Sequence, residues 1–285
     1  MTVLQEKAML VNLSISAWTA SKKDNKAGES VKAQASASSK AGWFNKRLID
    51  PAALEKLNKI EGRARDLHYK MTLPWGDNGD RILPAPAYMD YMDAIRVIRG
   101  EHETARSQFV RDYPQLVQDA RKMLGAMYEP GDYPDTAKVA ERFEIRLGFN
   151  PVPDAADFRV DVGDEAVAEI KKSITASVEK RLHGATRECW IRLHEVVDRM
   201  ARTLGDPEAV FRDSLVENIR VLLDILPKLN ITGDATLASA CKQVQNWLII
   251  EPADLRRDKK LRAFTAEKAE EILEVIKPWV KTEAF

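Results

Sequence analysis

A chain of 285 residues has room for one large domain or two ordinary ones, and 45% apolar residues are enough for a sizeable core. Its 44 basic side chains balance 44 acidic ones, which argues against a protein that coats nucleic acid over its whole surface. No run of about 18 apolar residues occurs, so no membrane-spanning helix is expected.

Glu6 and Lys7 precede a short apolar stretch, which is not the layout of a signal peptide. Over 9–19, Val11, Leu13, Ile15 and Ala17 alternate with Asn12, Ser14, Ser16 and Trp18. This period of two predicts a strand with one buried face. Residues 20–42 are rich in Ala, Ser and Lys and hold almost no large apolar side chain. A flexible loop is expected there, with at most a weak helix around 29–40.

Asp50-Pro51 has the cap-then-proline form of a helix start, and Leu54, Leu57, Ala64, Leu67 and Met71 then share a face. The helix ends at Leu73-Pro74, and PWGDNGDRILP reads as a loop. A second helix is predicted over 86–112 from Tyr88, Met92, Ile95, Ile98, Ala105 and Phe109. Pro114 should break or kink it before a further helix over 114–127. After a turn at 128–134 and a short helix at 135–142, two segments alternate like strands. Phe143, Ile145 and Leu147 mark one, and Phe158, Val160 and Val162 mark the other. With 9–19 they would make a three-stranded sheet.

The clearest pattern begins at Asp164. Val167, Ile170, Ile174, Val178, Leu182, Ala185, Cys189, Leu193, Val196, Met200 and Leu204 follow one another at steps of three or four. They predict one continuous apolar stripe about 60 Å long. Gly205-Asp206-Pro207 ends that helix and starts the next, which carries Phe211, Leu215, Ile219, Leu222 and Leu226. A turn ending at Asp234 caps a helix striped by Leu237, Cys241, Val244 and Leu248. Glu251-Pro252 opens a short helix, and Thr265 caps a last one to about 277. The fold class is therefore mainly α (α+β), a long helical bundle or hairpin with a small antiparallel three-stranded sheet. In chain order the segments are 1–50, 51–163 and 164–285, with 51–285 and the strand at 9–19 expected to form one compact unit.

No sequence pattern specifies a reaction. Neither GxxxxGK[ST] nor GxGxxG occurs. His183 and His194 share a helix face but lie about 16 Å apart along it, too far to hold one metal ion. His194-Glu195 lacks the second histidine of a zincin helix, and His68 and His102 stand in no motif. Cys189 and Cys241 read as buried free thiols, which points to a reducing, cytoplasmic setting. Asp77 and Asp80 come closest to a cation site, but they lack EF-hand spacing and suit a turn beside glycine. No catalytic residue, metal ligand or cofactor is therefore expected. Between 20 and 47 the chain carries Lys22, Lys23, Lys26, Lys32, Lys40, Lys46 and Arg47 against only Asp24 and Glu29. Lys40, Trp43, Phe44, Lys46 and Arg47 are candidate nucleic-acid contacts, with charges for phosphates and rings for unstacked bases. The other reading is a solvated loop that Trp43 and Phe44 dock to the core.

GWFNKRL at 42–48, TLPWGDNGDRILP at 72–84, DFRVDV at 157–162 and FRDSLVENIRVLLDILPKLNITGD at 211–234 together resemble an uncharacterised, mainly helical protein family of tailed phages, prophages and integrative elements. The resemblance carries no active site. It implies a place beside recombination and single-strand-binding functions, and beside MoxR-type AAA ATPases and von Willebrand-type A-domain proteins. The expected function is a non-enzymatic factor in mobile-element DNA metabolism, in the cytoplasm of a bacterial host. It would form homo-oligomers or bind a helical protein partner, an AAA ATPase among the candidates. A single-stranded DNA-binding or annealing protein and a virion structural protein remain open alternatives.

Overall fold

A computed structural model describes residues 3–160 and 162–281. Within them the chain is mainly α with a small antiparallel sheet, as its patterning predicts. In order the elements are α1 (Val3–Lys7), β1 (Ala8–Ser16), β2 (Ser21–Lys23), α2 (Asn25–Gln34), β3 (Asn45–Arg47), α3 (Glu55–Met71), β4 (Leu73–Pro74), β5 (Arg81–Pro84), α4 (Ala85–Leu124), α5 (Thr136–Ala140) and β6 (Glu144–Asn150). They continue with α6 (Asp164–Gly205), α7 (Ser214–Leu229), α8 (Ala235–Leu248), α9 (Pro252–Arg257) and α10 (Lys259–Lys281).

The main sheet has four strands in the order β4-β5-β1-β6, not three, and β2 and β3 pair separately. Two of its strands come from the segment expected to be a loop. Arg81–Pro84 pairs with Ala8–Val11 of β1, and Leu73 with Ile82, because this short run places Ile82, Leu83 and Leu73 in the core. The strand expected at 157–162 does not form. A turn at Ala155–Asp157 is followed by irregular chain, Val160 and Val162 are exposed, and Asp161 lies outside the described residues. Alternation alone does not make a strand where no neighbour takes its backbone hydrogen bonds.

Contacts divide the chain into two compact units. One comprises Met1–Asn12, His68–Tyr91 and Gly148–Phe285, and the other Leu13–Leu67 and Met92–Leu147. The chain passes between them inside β1, α3, α4 and β6.

The first unit is built on the later turns of α6. Cys189, Trp190, Leu193, Val197, Met200 and Leu204 are buried there among α7, α8 and α10. Val197, rather than the expected Val196, carries the stripe inward at that turn. The Trp190 and Trp279 rings stack with centroids 5.3 Å apart. Two arginines close helix ends whose last carbonyls have no partner within the helix. Arg192 of α6 donates to the carbonyls of Tyr69, Lys70 and Thr72 at the end of α3, each at 2.9 Å. Arg262 of α10 donates to the carbonyls of Thr203 (3.0 Å), Leu204 (3.1 Å), Asp206 and Ala209 (2.9 Å) at the end of α6. The same contact explains a displaced boundary. The next helix starts at Ser214 and not at Pro207, because carbonyls a helix would use internally are turned to Arg262. Thr265 does not cap α10. Asp258 does, accepting from the amides of Lys260 and Leu261, while the Thr265 hydroxyl donates back to the Leu261 carbonyl at 2.7 Å.

The second unit centres on aromatic side chains. Trp18 stands edge-on to Phe109 and Tyr113, and Phe109 edge-on to Phe143. Trp18 was expected on the polar face of its strand. The strand ends at Ser16, the alternation loses phase there, and Trp18 turns inward. Pro114 does not break α4, which runs unbroken from Ala85 to Leu124. Proline removes one amide donor, while Phe109, Tyr113 and Ala120 on both sides of it are buried and hold the helix in place.

Candidate functional site

Residues 20–47 are more ordered than their composition suggests. β2 and β3 pair Ser21 with Arg47 and Lys23 with Asn45, and α2 is spliced between them. The Asp24 carboxylate accepts from the Ala27 amide at 2.9 Å and starts α2 four residues before the expected weak helix. Gly28 is buried against the backbone of Phe44, and the Asp24 amide donates to the Phe44 carbonyl at 2.9 Å.

This arrangement separates the five candidate contacts. Lys40 and Arg47 are exposed, and Trp43 is 73% exposed. Phe44 is half-buried. Lys46 is only 5% exposed, so its charge is not presented to a ligand. Its Nζ donates to the Met127 carbonyl at 2.6 Å and sits 2.8 Å from Asp132 and 3.3 Å from Asp24. Burial opposes the ammonium charge, but the bonds to Asp132 and Asp24 prevail and hold its pKa above the ordinary lysine value. Asp132 also takes Lys22 at 2.5 Å, and its own pKa lies below the usual carboxylate value despite burial. Lys46 is thus an anchor, while Trp43, Lys40 and Arg47 are exposed. Asp132 lies 86 positions further along the chain than Lys46, and no local signal marks it as a partner.

The long stripe of α6 divides in two. Ala185 onward it is buried; before that, Val167, Ile170, Ile174, Val178 and Leu182 are each half-buried. Arg187 donates to the Val280 carbonyl at 3.0 Å, one residue before the last described residue of α10. Val178 and Leu182 still lean on the core, whereas Val167, Ile170 and Ile174 are not part of it. Along these turns the charged residues are Asp164, Glu165 and Glu169, then Lys171 and Lys172, then Glu179, Lys180 and Arg181.

The Asp77–Asp80 loop is a tight turn. The Asn78 side chain donates to Asp80 at 2.9 Å and accepts from its amide at 3.2 Å, and Gly79 has φ +88°. Among the described residues no group of three or more His, Cys, Asp or Glu is placed to hold a metal ion. His68 is buried, shares a 2.9 Å hydrogen bond with the Tyr91 hydroxyl, and has its pKa pushed down to about 4 by burial and by the nearby Arg81 charge. Burial raises the thiol pKa of Cys189 to about 12 and of Cys241 to about 11, so neither is poised as a nucleophile. No helix among the described residues is long and apolar enough to cross a membrane.

No curated protein and no solved structure matches the chain. A family model described as "Protein of unknown function (DUF3150)" matches residues 5–228, which run from α1 to within α7. That span takes in most of the chain, including both halves of α6 and the whole of residues 20–47, and the protein belongs to the DUF3150 family.

Proposed function

We propose that this protein is a non-enzymatic assembly factor that pairs with a second copy of itself through the first turns of α6. One observation carries the reading: a stripe with the spacing of a core helix continues past the point where the core ends. The stripe is also self-complementary. Laid antiparallel on its copy, Val167 comes beside Val178 and Ile170 beside Ile174. A two-fold interface requires that symmetry of a single surface. The setting implied by the sequence resemblance is mobile-element DNA metabolism, with a MoxR-type AAA ATPase and an A-domain protein as the machinery such a dimer would serve.

Light scattering tests the pairing. The intact chain is expected at twice its chain mass, and Ile170→Glu with Ile174→Glu at the chain mass with unchanged helicity. A monomeric intact chain at high concentration would overturn the reading.

A second reading rests on Trp43, a large ring held in solvent and flanked in sequence by Lys40 and Arg47. It makes this region a contact for single-stranded DNA, with stacking from the ring and phosphate contacts from the cations. Fluorescence anisotropy across a salt series checks it. Trp43→Ala or Arg47→Ala should each weaken binding while leaving the fold intact, and undiminished binding in both would sink it.

A further inference from the structure

The second unit contains a cleft of about 480 Å³ between one face of α4 and the start of β6, floored by Phe143 and Ile145. Arg96, Arg99 and Arg106 of α4 line it together with His102. The cations at the rim are not equivalent. Arg96 is tied to Asp93 at 2.9 Å and Arg106 to Glu103 at 3.2 Å, whereas Arg99 makes no ion pair or hydrogen bond among the described residues. Of the carboxylates that line the cleft, Glu103 is engaged by Arg106 and Glu144 by Arg146 at 2.5 Å. Neither is left to neutralise Arg99.

Beneath the rim lies an unusual pair. His102 is 4% exposed and Glu61 of α3 is 2% exposed. The His102 Nε2 and the Glu61 Oε1 are 3.5 Å apart, too long for an ordinary hydrogen bond, and neither atom has any other partner. The imidazole is the polar group within reach of the Glu61 carboxyl. With Nε2 turned to Glu61, Nδ1 is the ring nitrogen left for the cleft, next to the unpaired guanidinium.

The geometry points to a binding site for a phosphate group in this cleft, gripped by the Arg99 guanidinium and by the Nδ1–H of His102, with Glu61 behind the imidazole. A planar guanidinium fork suits a tetrahedral oxyanion, and charge-assisted bonds to it are the strong ones. Arg96 and Arg106 add positive potential without giving up their carboxylates. The site is independent of the α6 interface and of Trp43. The phosphate could be free or part of a nucleic-acid backbone, and two probes separate these sources.

The test is a titration of the full chain, with ¹³C-labelled histidine rings, by inorganic phosphate and by an oligothymidylate at constant ionic strength. One of the four histidine signals belongs to His102, identified by its loss in His102→Gln and its displacement in Glu61→Gln. Phosphate is expected to shift that signal saturably. Arg99→Gln, an exposed change that leaves the fold intact, should weaken binding about tenfold or more. Arg111→Gln, on the same helix but outside the cleft, should leave it unchanged. A shift by both probes assigns the site to a nucleic-acid backbone, and a shift by phosphate alone to a small phosphate ligand. No shift with either probe, or equal weakening by Arg99→Gln and Arg111→Gln, overturns the proposal.

Discussion

The two halves of α6 read alike in sequence and differ in structure. From Ala185 to Leu204 the stripe is sealed, with Leu193, Val197 and Met200 fully buried; from Val167 to Leu182 no stripe residue is. The described turns of α10 meet α6 as far as the contact of Arg187 with Val280, and Val167, Ile170 and Ile174 lie nearer the start of α6. Hydrophobic periodicity reports which face of a helix is apolar. It does not report what covers that face.

Substitutions along the stripe can break or sharpen the contrast, and the largest effect is expected in the sealed half. Leu193→Ala should cost about 2–5 kcal/mol in urea denaturation, because the surrounding helices cannot close on the hole. A cost below about 1 kcal/mol would mean that this half is not a packed core. Next comes the closure of the helix end. Arg262→Ala takes the donor from the carbonyls of Thr203, Leu204 and Ala209, while Asp206 keeps the Ala209 amide, and should cost about 3 kcal/mol, with Arg262→Lys recovering less than half, since an ammonium lacks the planar fork. Full recovery with lysine would show that charge alone matters there.

A pH series gives the third effect. His68 lies on α3, whose end Arg192 of the sealed half holds. Its folded pKa of about 4 lies below the ordinary histidine value of 6.5, so between those values the unfolded chain binds more protons than the folded one. Stability should be whole above pH 6.5 and fall as pH drops toward 4, by about 2 kcal/mol once solvent screening is allowed for. His68→Gln should flatten that slope in a plot of denaturation midpoint against pH, and an unchanged slope would place the effect elsewhere. The smallest effect belongs to the open half. Ile174→Ala should change the stability of the monomer by less than about 1 kcal/mol, while weakening self-association measured by sedimentation.

Elements whose cause is local are legible in the sequence. The bounds of α6, the Asp234 cap and the mainly α class follow from spacing and capping chemistry within a few residues. Features whose cause lies far along the chain are not legible. Lys46 and Arg47 are neighbours with the same charge, yet one is buried on Asp132 and the other faces solvent, and only the fold distinguishes them. Val160 and Val162 alternate as well as Val11 and Leu13 do, but β1 has a strand to pair with. Pro114 looked like a break because proline's local cost is fixed, whereas the packing of Phe109 and Tyr113 that outweighs it is not visible locally. For the cleft, Arg96, Arg99 and Arg106 are legible as one helix face, but Glu61 beneath His102 comes from another helix and carried no signal.

The grip of Arg262 on the end of α6 has a consequence for the order in which the molecule can be made. The residue that closes the helix lies 58 positions after the carbonyl of Leu204 that it holds. On a ribosome α6 emerges well before its clasp, and until then its final turn is hydrated and free to fray. Nascent chains stopped before residue 262 should therefore show a protease-sensitive end to α6 that the longer chain lacks, and the synthesis of α10 sets the moment at which that end closes.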